Sequence, residues 1–379
     1  MIDLTLALTT LVERGGSDLH LKAGNGPLAR IGGHVVQLYD GAEPLRPEEM
    51  AELLLSTLPE SRMKEFENES ELDYAYAVPG VGRFRVNAFR QRGTIAMIMR
   101  ALPHVIPRFD ELGLPDAVRE LAETERGIVL ITGTTGSGKS TTLAAMVDHI
   151  NRTMQKHIVT IEDPIEFLHR DILSSVNQRE IGMDTASFKR ALHRVLRQDP
   201  DVILVGEMRD EETVQTALSA AETGHLVFST LHTGDAAETV NRIIEFFEPQ
   251  SQQQVRAMLA SCLAGVVSQR LVPSVDGGRV PIIEILKTTG RIRDMILEPE
   301  KTGDIPDAIA EGAFYGMQSF DQALFAVVKD GRVDMKTALG HASRPQDFKL
   351  LVAGDGAIGT SMDQVEQVEE TPSPALAVF

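Results

Sequence analysis

The sequence predicts an α/β protein: a doubly wound parallel sheet, with a smaller α+β domain before it and a helical subdomain after it. Gly127-Ile128-Val129-Leu130-Ile131-Thr132 is a short, continuously apolar run, as a strand covered on both faces requires, and it leads directly into a Gly-rich segment, Gly133 to Ser140. Further such runs at His157–Ile161, Asp201–Val205 and His225–Thr230 are separated by helical stretches, which is the repeating βα pattern of a doubly wound sheet. Upstream, the strand-like runs mostly alternate in polarity and are bounded by Gly and Pro, the mark of an antiparallel sheet.

Leu4, Leu8, Leu11 and Val12 recur at helical spacing, and Gly15-Gly16 ends that helix before an alternating run from Ser17 to Lys22. A second amphipathic helix is predicted over Pro47 to Leu58. Strands are predicted over Asp73–Val78, Arg83–Phe89 and Thr94–Arg100, punctuated by Pro79-Gly80 and Gly93. Pro103, Pro107 and Pro115 then disfavour regular structure. The reading is therefore a first domain over 1–100, a linker over 101–112 and the parallel core over 113–272. After Pro273 the pattern turns mainly helical, with segments at 291–297, 304–312, 319–329 and 334–342, giving a helical subdomain over 273–351. From 352 to 379 little periodicity remains and a flexible tail is expected.

The 379 residues are 42% hydrophobic and 24% charged, which excludes a largely disordered chain. No run of about 18 apolar residues suggests a membrane span, and the N-terminus lacks a signal-peptide pattern, so a cytoplasmic protein is expected. The sole cysteine, Cys262, rules out an intrachain disulfide or Cys-rich zinc site and reads as a core thiol. A net charge of −18 argues against a nucleic-acid partner, because that binding relies on clustered Lys and Arg.

Gly133-Thr134-Thr135-Gly136-Ser137-Gly138-Lys139-Ser140 has the spacing of a P-loop. Its glycines let the backbone turn tightly and aim N–H groups at a β-phosphate, while the following helix adds its positive end; residues 133–140 together with Thr141 are the expected nucleotide-binding residues. Lys139 is expected to reach the β- and γ-phosphates, and the Ser140 hydroxyl to ligate Mg2+. ATP binding and hydrolysis follow as expectations.

Three acidic stretches or rim residues accompany this loop. Glu162, Asp163 and Glu166 follow a strand and fit Mg2+ and water handling, the alternative being a solvated acidic turn. Asp201 to Glu207 has the form of a Walker B strand, four apolar residues delivering Glu207 to the sheet edge; the bland reading is a capping Glu. His225 and His232 flank an apolar strand. Although a lone histidine is usually structural, His225 is expected to sense the γ-phosphate.

In this order the motifs resemble those of the secretion ATPases of type IV pilus and type II secretion machines: Walker A at 133–140, an acidic box at 161–166, an atypical Walker B at 200–207 and a histidine box at 221–232. The Ser17-Asp18-Leu19-His20-Leu21 stretch and Gly316 to Leu324 are similar to segments of the PilT-type retraction ATPases. One departure is at Arg291 to Glu298, where Leu297 replaces the Arg of a hallmark tied in the family to retraction, so the direction of work stays open.

The resemblance implies a RecA-like core, an N-terminal PAS-like domain and a homohexamer with ATP held between subunits and domains. It also implies arginine fingers at Arg85 and Arg100, and a cytoplasmic motor peripheral to the inner membrane, acting on a pilus platform protein. An antagonistic extension ATPase or a paralogous retraction ATPase is a further implied partner. The implied function is pilus retraction and twitching motility; the alternatives are an extension or type II secretion ATPase, or a DNA-translocating hexamer.

Overall fold

The computed structural model describes residues 2–102 and 105–354. Its chain packs as two compact units: Met1–Ile106 with Ile161–Arg170 and Gln178–Ala191, and Pro107–Thr160 with Asp171–Asn177 and Leu192–Phe379. The first unit thus takes in two later segments, so it is not the continuous stretch that composition suggests.

The first unit carries a six-stranded sheet, β1 (Gly16–Lys22), β2 (Leu28–Ile31), β3 (His34–Gln37), β4 (Glu71–Val78), β5 (Gly82–Gln91) and β6 (Thr94–Ala101), in the order β3-β2-β1-β6-β5-β4. Alternation divides its faces. Phe84, Val86, Ala88, Met97, Met99, Leu19 and Leu21 are buried, and they form one core with Leu4, Leu8 and Leu11 of the helix Leu4–Glu13 and Met50, Leu53 and Leu54 of the helix Pro47–Thr57. A two-residue turn joins β5 to β6, with Arg92 at φ 48° and Gly93 at φ 78°. Such a turn matches the strand twist and fixes the register Gln91↔Thr94, which carries through to Arg85↔Arg100.

The second sheet comprises β7 (Gly127–Thr132), β8 (His157–Glu162), β9 (Ser175–Glu180), β10 (Val202–Val205), β11 (Leu226–Leu231), β12 (Leu263–Pro273) and β13 (Arg279–Lys287), ordered β13-β12-β7-β11-β10-β8-β9. β12, β7, β11 and β10 run parallel, and every residue of β7, β10 and β11 is buried, as their predominantly apolar sequences require.

The helical subdomain expected from 273 is corrected at its start. Residues 279–287 form β13, antiparallel to β12, and helices take over only at Gly290–Leu297, Ile305–Glu311, Phe320–Lys329, Met335–His341 and Pro345–Ala353. The apolar ends of β12 and β13 (Val272, Val280, Ile282) build a core with Phe320, Leu324 and Phe348, so the strand pair is the floor on which these helices pack. The predicted linker also gives way to structure: Phe109 is buried in the core of the second unit. The predicted tail lies outside the described residues from 355 onward. Cys262 is buried, and burial pushes its thiol up to about 12. Among the described residues no helix is long and apolar enough to cross a membrane.

Candidate nucleotide site

Strand polarity assembles the site in the second unit. β7, β11 and β10 are parallel and in register, Thr132 beside Leu231 and Ser229 beside Val205, so the residues following each strand emerge at one edge of the sheet. The P-loop leaves β7 there, Glu207 follows β10, and His232 follows β11.

Gly133, Gly136 and Gly138 have φ of 139°, 79° and 92°, a region open to Gly and costly for other residues. A Cβ at Gly133 would strike the Gln269 carbonyl and the Ser137 hydroxyl, whereas one at Gly136 would meet nothing within 4 Å. Lys139 folds back over the loop, its Nζ donating to the carbonyls of Gly133 (2.8 Å) and Thr134 (3.0 Å). The Thr132 and Ser137 hydroxyls are buried with no hydrogen-bond partner among the described residues. A loop turned tightly at three glycines, with the buried Ser137 hydroxyl against Gly133 and an ammonium folded over it, fits a polyphosphate.

Gln269 of β12 closes the other side. Its Oε1 accepts from the Thr142 hydroxyl at 2.7 Å, tying β12 to the helix Lys139–Thr153. Sequence reasoning missed it, because nothing in the local pattern distinguishes a buried strand glutamine from an exposed one.

Glu207 is pinned by its surroundings. The Ser229 and Thr230 hydroxyls donate to the Val205 and Gly206 carbonyls at 2.8 and 2.6 Å, and Met208 N–H donates to the Thr230 carbonyl at 3.3 Å. The Glu207 carboxylate pairs with Arg209 and stands 3.6 Å from His232 Nε2. His225 is different. It precedes β11, its Nδ1 donates to the Ala220 carbonyl at 2.9 Å, and its carbonyl accepts from Gly127 N–H at the start of β7. A six-residue strand spans about 20 Å, so the expectation for His225 is corrected: it caps the far edge, and His232 is the histidine at the phosphate edge.

The acidic box belongs to the first unit. Glu162 ends β8, where its carboxylate accepts from Gln178 at 3.0 Å and its carbonyl from Ile181 N–H at 2.9 Å. Half-buried Glu166 follows, with no ion-pair or hydrogen-bond partner among the described residues, and Asp163 is exposed. Among the described residues no three His, Cys, Asp or Glu side chains converge as a metal cluster, so the acids proposed for Mg2+ do not preform a cage with one another.

Arg85 and Arg100 are cross-strand neighbours on the polar face of the first sheet, with side chains 43% and 66% exposed. Arg100 Nε donates to Asp18 at 2.8 Å, and Arg85 lies 3.8 Å from Asp73. Burial alone would raise the Asp18 carboxyl, but hydrogen bonds from Ser17 and Arg100 outweigh it and hold the group below its ordinary value. Asp18 is thus the holder of Arg100, a role its place in Ser17–Leu21 did not disclose.

Residues 83–278 match the model of the type II/IV secretion system protein family. The type IV pilus retractation ATPase PilT of Pseudomonas aeruginosa is 44% identical over 92% of this chain and 100% of its own length. This chain belongs to the type II/IV secretion system protein family. Another relative in that family, the type IV pilus ATPase PilU of the same organism, is 41% identical over 91% of this chain and 90% of its own. The crystal structure of the pilus retraction motor PilT with bound ADP superposes with a TM-score of 0.84, at 44% identity over 91% of this chain and 98% of that one. The fold of this secretion-system protein is accordingly that of the RecA-like secretion ATPases.

Proposed function

We propose that this chain is a homohexameric motor that hydrolyses ATP to drive type IV pilus retraction. The observation that carries the reading is the full-length similarity to PilT at 44% identity, supported by the meeting of P-loop, Glu207 and His232 at one sheet edge. Gly133, Gly136, Gly138 and Lys139 bind the phosphates, with Thr134, Thr135, Ser137 and Thr141 completing the segment. Ser140 would ligate Mg2+, with Glu207, Glu162 and Asp163 as the acids available to its water shell; the ion offsets charge on the β- and γ-phosphates.

Glu207 would orient that shell, His232 reads the γ-phosphate, and Glu166 polarises the attacking water. Arg85 and Arg100 offset the charge that develops on the transferred phosphoryl group, an effect worth about 10³–10⁵ in rate for arginine fingers. The motor acts on an inner-membrane platform protein from the cytoplasmic face. Its further partner is an antagonistic extension ATPase or a paralogous retraction ATPase.

Steady-state ATPase assays test the chemistry: Lys139→Ala and Glu207→Gln should each lose nearly all turnover, and retention in either overturns its role. A deletion strain tests direction. Surplus pili without twitching support retraction, whereas absence of pili supports the extension reading that Leu297 leaves open.

A further inference from the structure

The P-loop and Walker residues explain neither the burial of Glu180 nor the destination of Arg83. Glu180 ends β9 with its side chain 3% exposed. Its carboxylate pairs with Arg83 of β5 and also accepts Ile165 N–H at 3.1 Å, inside the acidic box and one residue before Glu166. Arg83 is itself largely buried, and its Nε has no hydrogen-bond partner among the described residues; it is held for the pair at the expense of its own solvation.

A second arginine supports the same segment. Arg62, fixed by Glu65 at 2.8 Å and by its bond to the Asp73 carbonyl, is packed so close to Gly182 that a Cβ there would lie 3.2 Å from its Nη1. Arg83 and Arg85 are two residues apart on one strand and so share a face.

We propose that Glu180 is a positioning residue for hydrolysis: by joining Arg83 to the Ile165 backbone, it makes β5, which bears Arg85, and the loop bearing Glu166 a single rigid piece. The inference rests on the assignment of Glu166 and Arg85 above. Without the pair, the P-loop still binds nucleotide, but Glu166 and Arg85 lose their fixed separation. Misplacement by about 1 Å at a reacting group costs on the order of 10²-fold in rate, so the effect falls on turnover rather than on affinity.

The test uses the full-length protein. Glu180→Gln and Arg83→Gln should each lower kcat by roughly 10–100-fold, with KM for ATP and the affinity for a fluorescent ADP analogue unchanged. The double variant should be no slower than the slower single one, and Arg83→Lys should recover most of the rate. Turnover within about twofold of the parent in either Gln variant, multiplied losses in the double variant, or a raised KM with unchanged kcat would overturn the proposal. So would the absence of a cooperative melt in both Gln variants, since the pair would then serve folding. Glu166→Gln, assayed in parallel, separates the two readings: if it retains activity, the assignment of Glu166 fails, whereas its loss beside an active Glu180→Gln sinks the positioning role alone.

Discussion

His232 Nε2 lies 3.6 Å from the Glu207 carboxylate, whereas His225 is bonded to Ala220 at the other end of the same strand. His232→Ala should therefore lower kcat by about 10²-fold, the scale of a lost group at the developing charge. His225→Ala should leave kcat within about twofold and act through the melting temperature. Measuring turnover and thermal melts on both variants separates them; a larger kcat loss at His225 refutes the assignment.

Asp18, 4% exposed, is the carboxylate that orients Arg100. Its folded-state value is lowered, so the stability it contributes is present above the ordinary carboxylate range near 3.9 and is lost as pH falls through the lower folded value. Asp18→Asn should cost about 1–3 kcal/mol at neutral pH, flatten the acid end of the stability profile and reduce kcat through Arg100. Denaturant melts from pH 2 to 7 would show whether the acid limb changes.

Gly133 and Gly136 differ in what surrounds them. Gly136→Ala incurs only the backbone penalty of positive φ, about 1–2 kcal/mol, because its Cβ would point into open space. Gly133→Ala adds a collision with the Gln269 carbonyl and Ser137, so it should abolish nucleotide binding. Equilibrium binding of a fluorescent ADP analogue ranks the two; equal affinities would contradict the cradle.

Glu284 of β13 is buried at 6% exposure and accepts Ala236 N–H at 2.8 Å. Burial raises its carboxyl from 4.5 to about 7, against the opposing hydrogen bond from Ala236. For an acid raised in the folded state, the native form holds a proton that the unfolded chain has released between those values. Stability should consequently fall as pH climbs from about 4.5 to 7, by on the order of 3 kcal/mol from this group, and level off above. Glu284→Gln should remove that slope and be stabilising at pH 8. A Gln variant less stable than the parent at pH 8 would disprove it.

Much of this was legible because its causes are contiguous. The P-loop reads directly, since three glycines, a lysine and a serine must stand within eight residues to wrap a phosphate. Buried parallel strands read as unbroken apolar runs, and Glu207 follows one of them. β13 was hidden by proximity to helical segments, although the turn Ser274 to Gly278, with Gly277 at φ 80°, marks a hairpin.

The sequence by itself determined the fold class, the phosphate loop and the inventory of acids and arginines, since local pattern governs strand burial and loop conformation. Tertiary structure decided which of those residues meet. It chose His232 over His225 through strand direction, and brought Gln269 to Thr142 across 127 residues and Arg83 to Glu180 across 97. Such pairings depend on sheet order and register, which arise only when the whole core packs and leave no mark on the residues nearby in the chain.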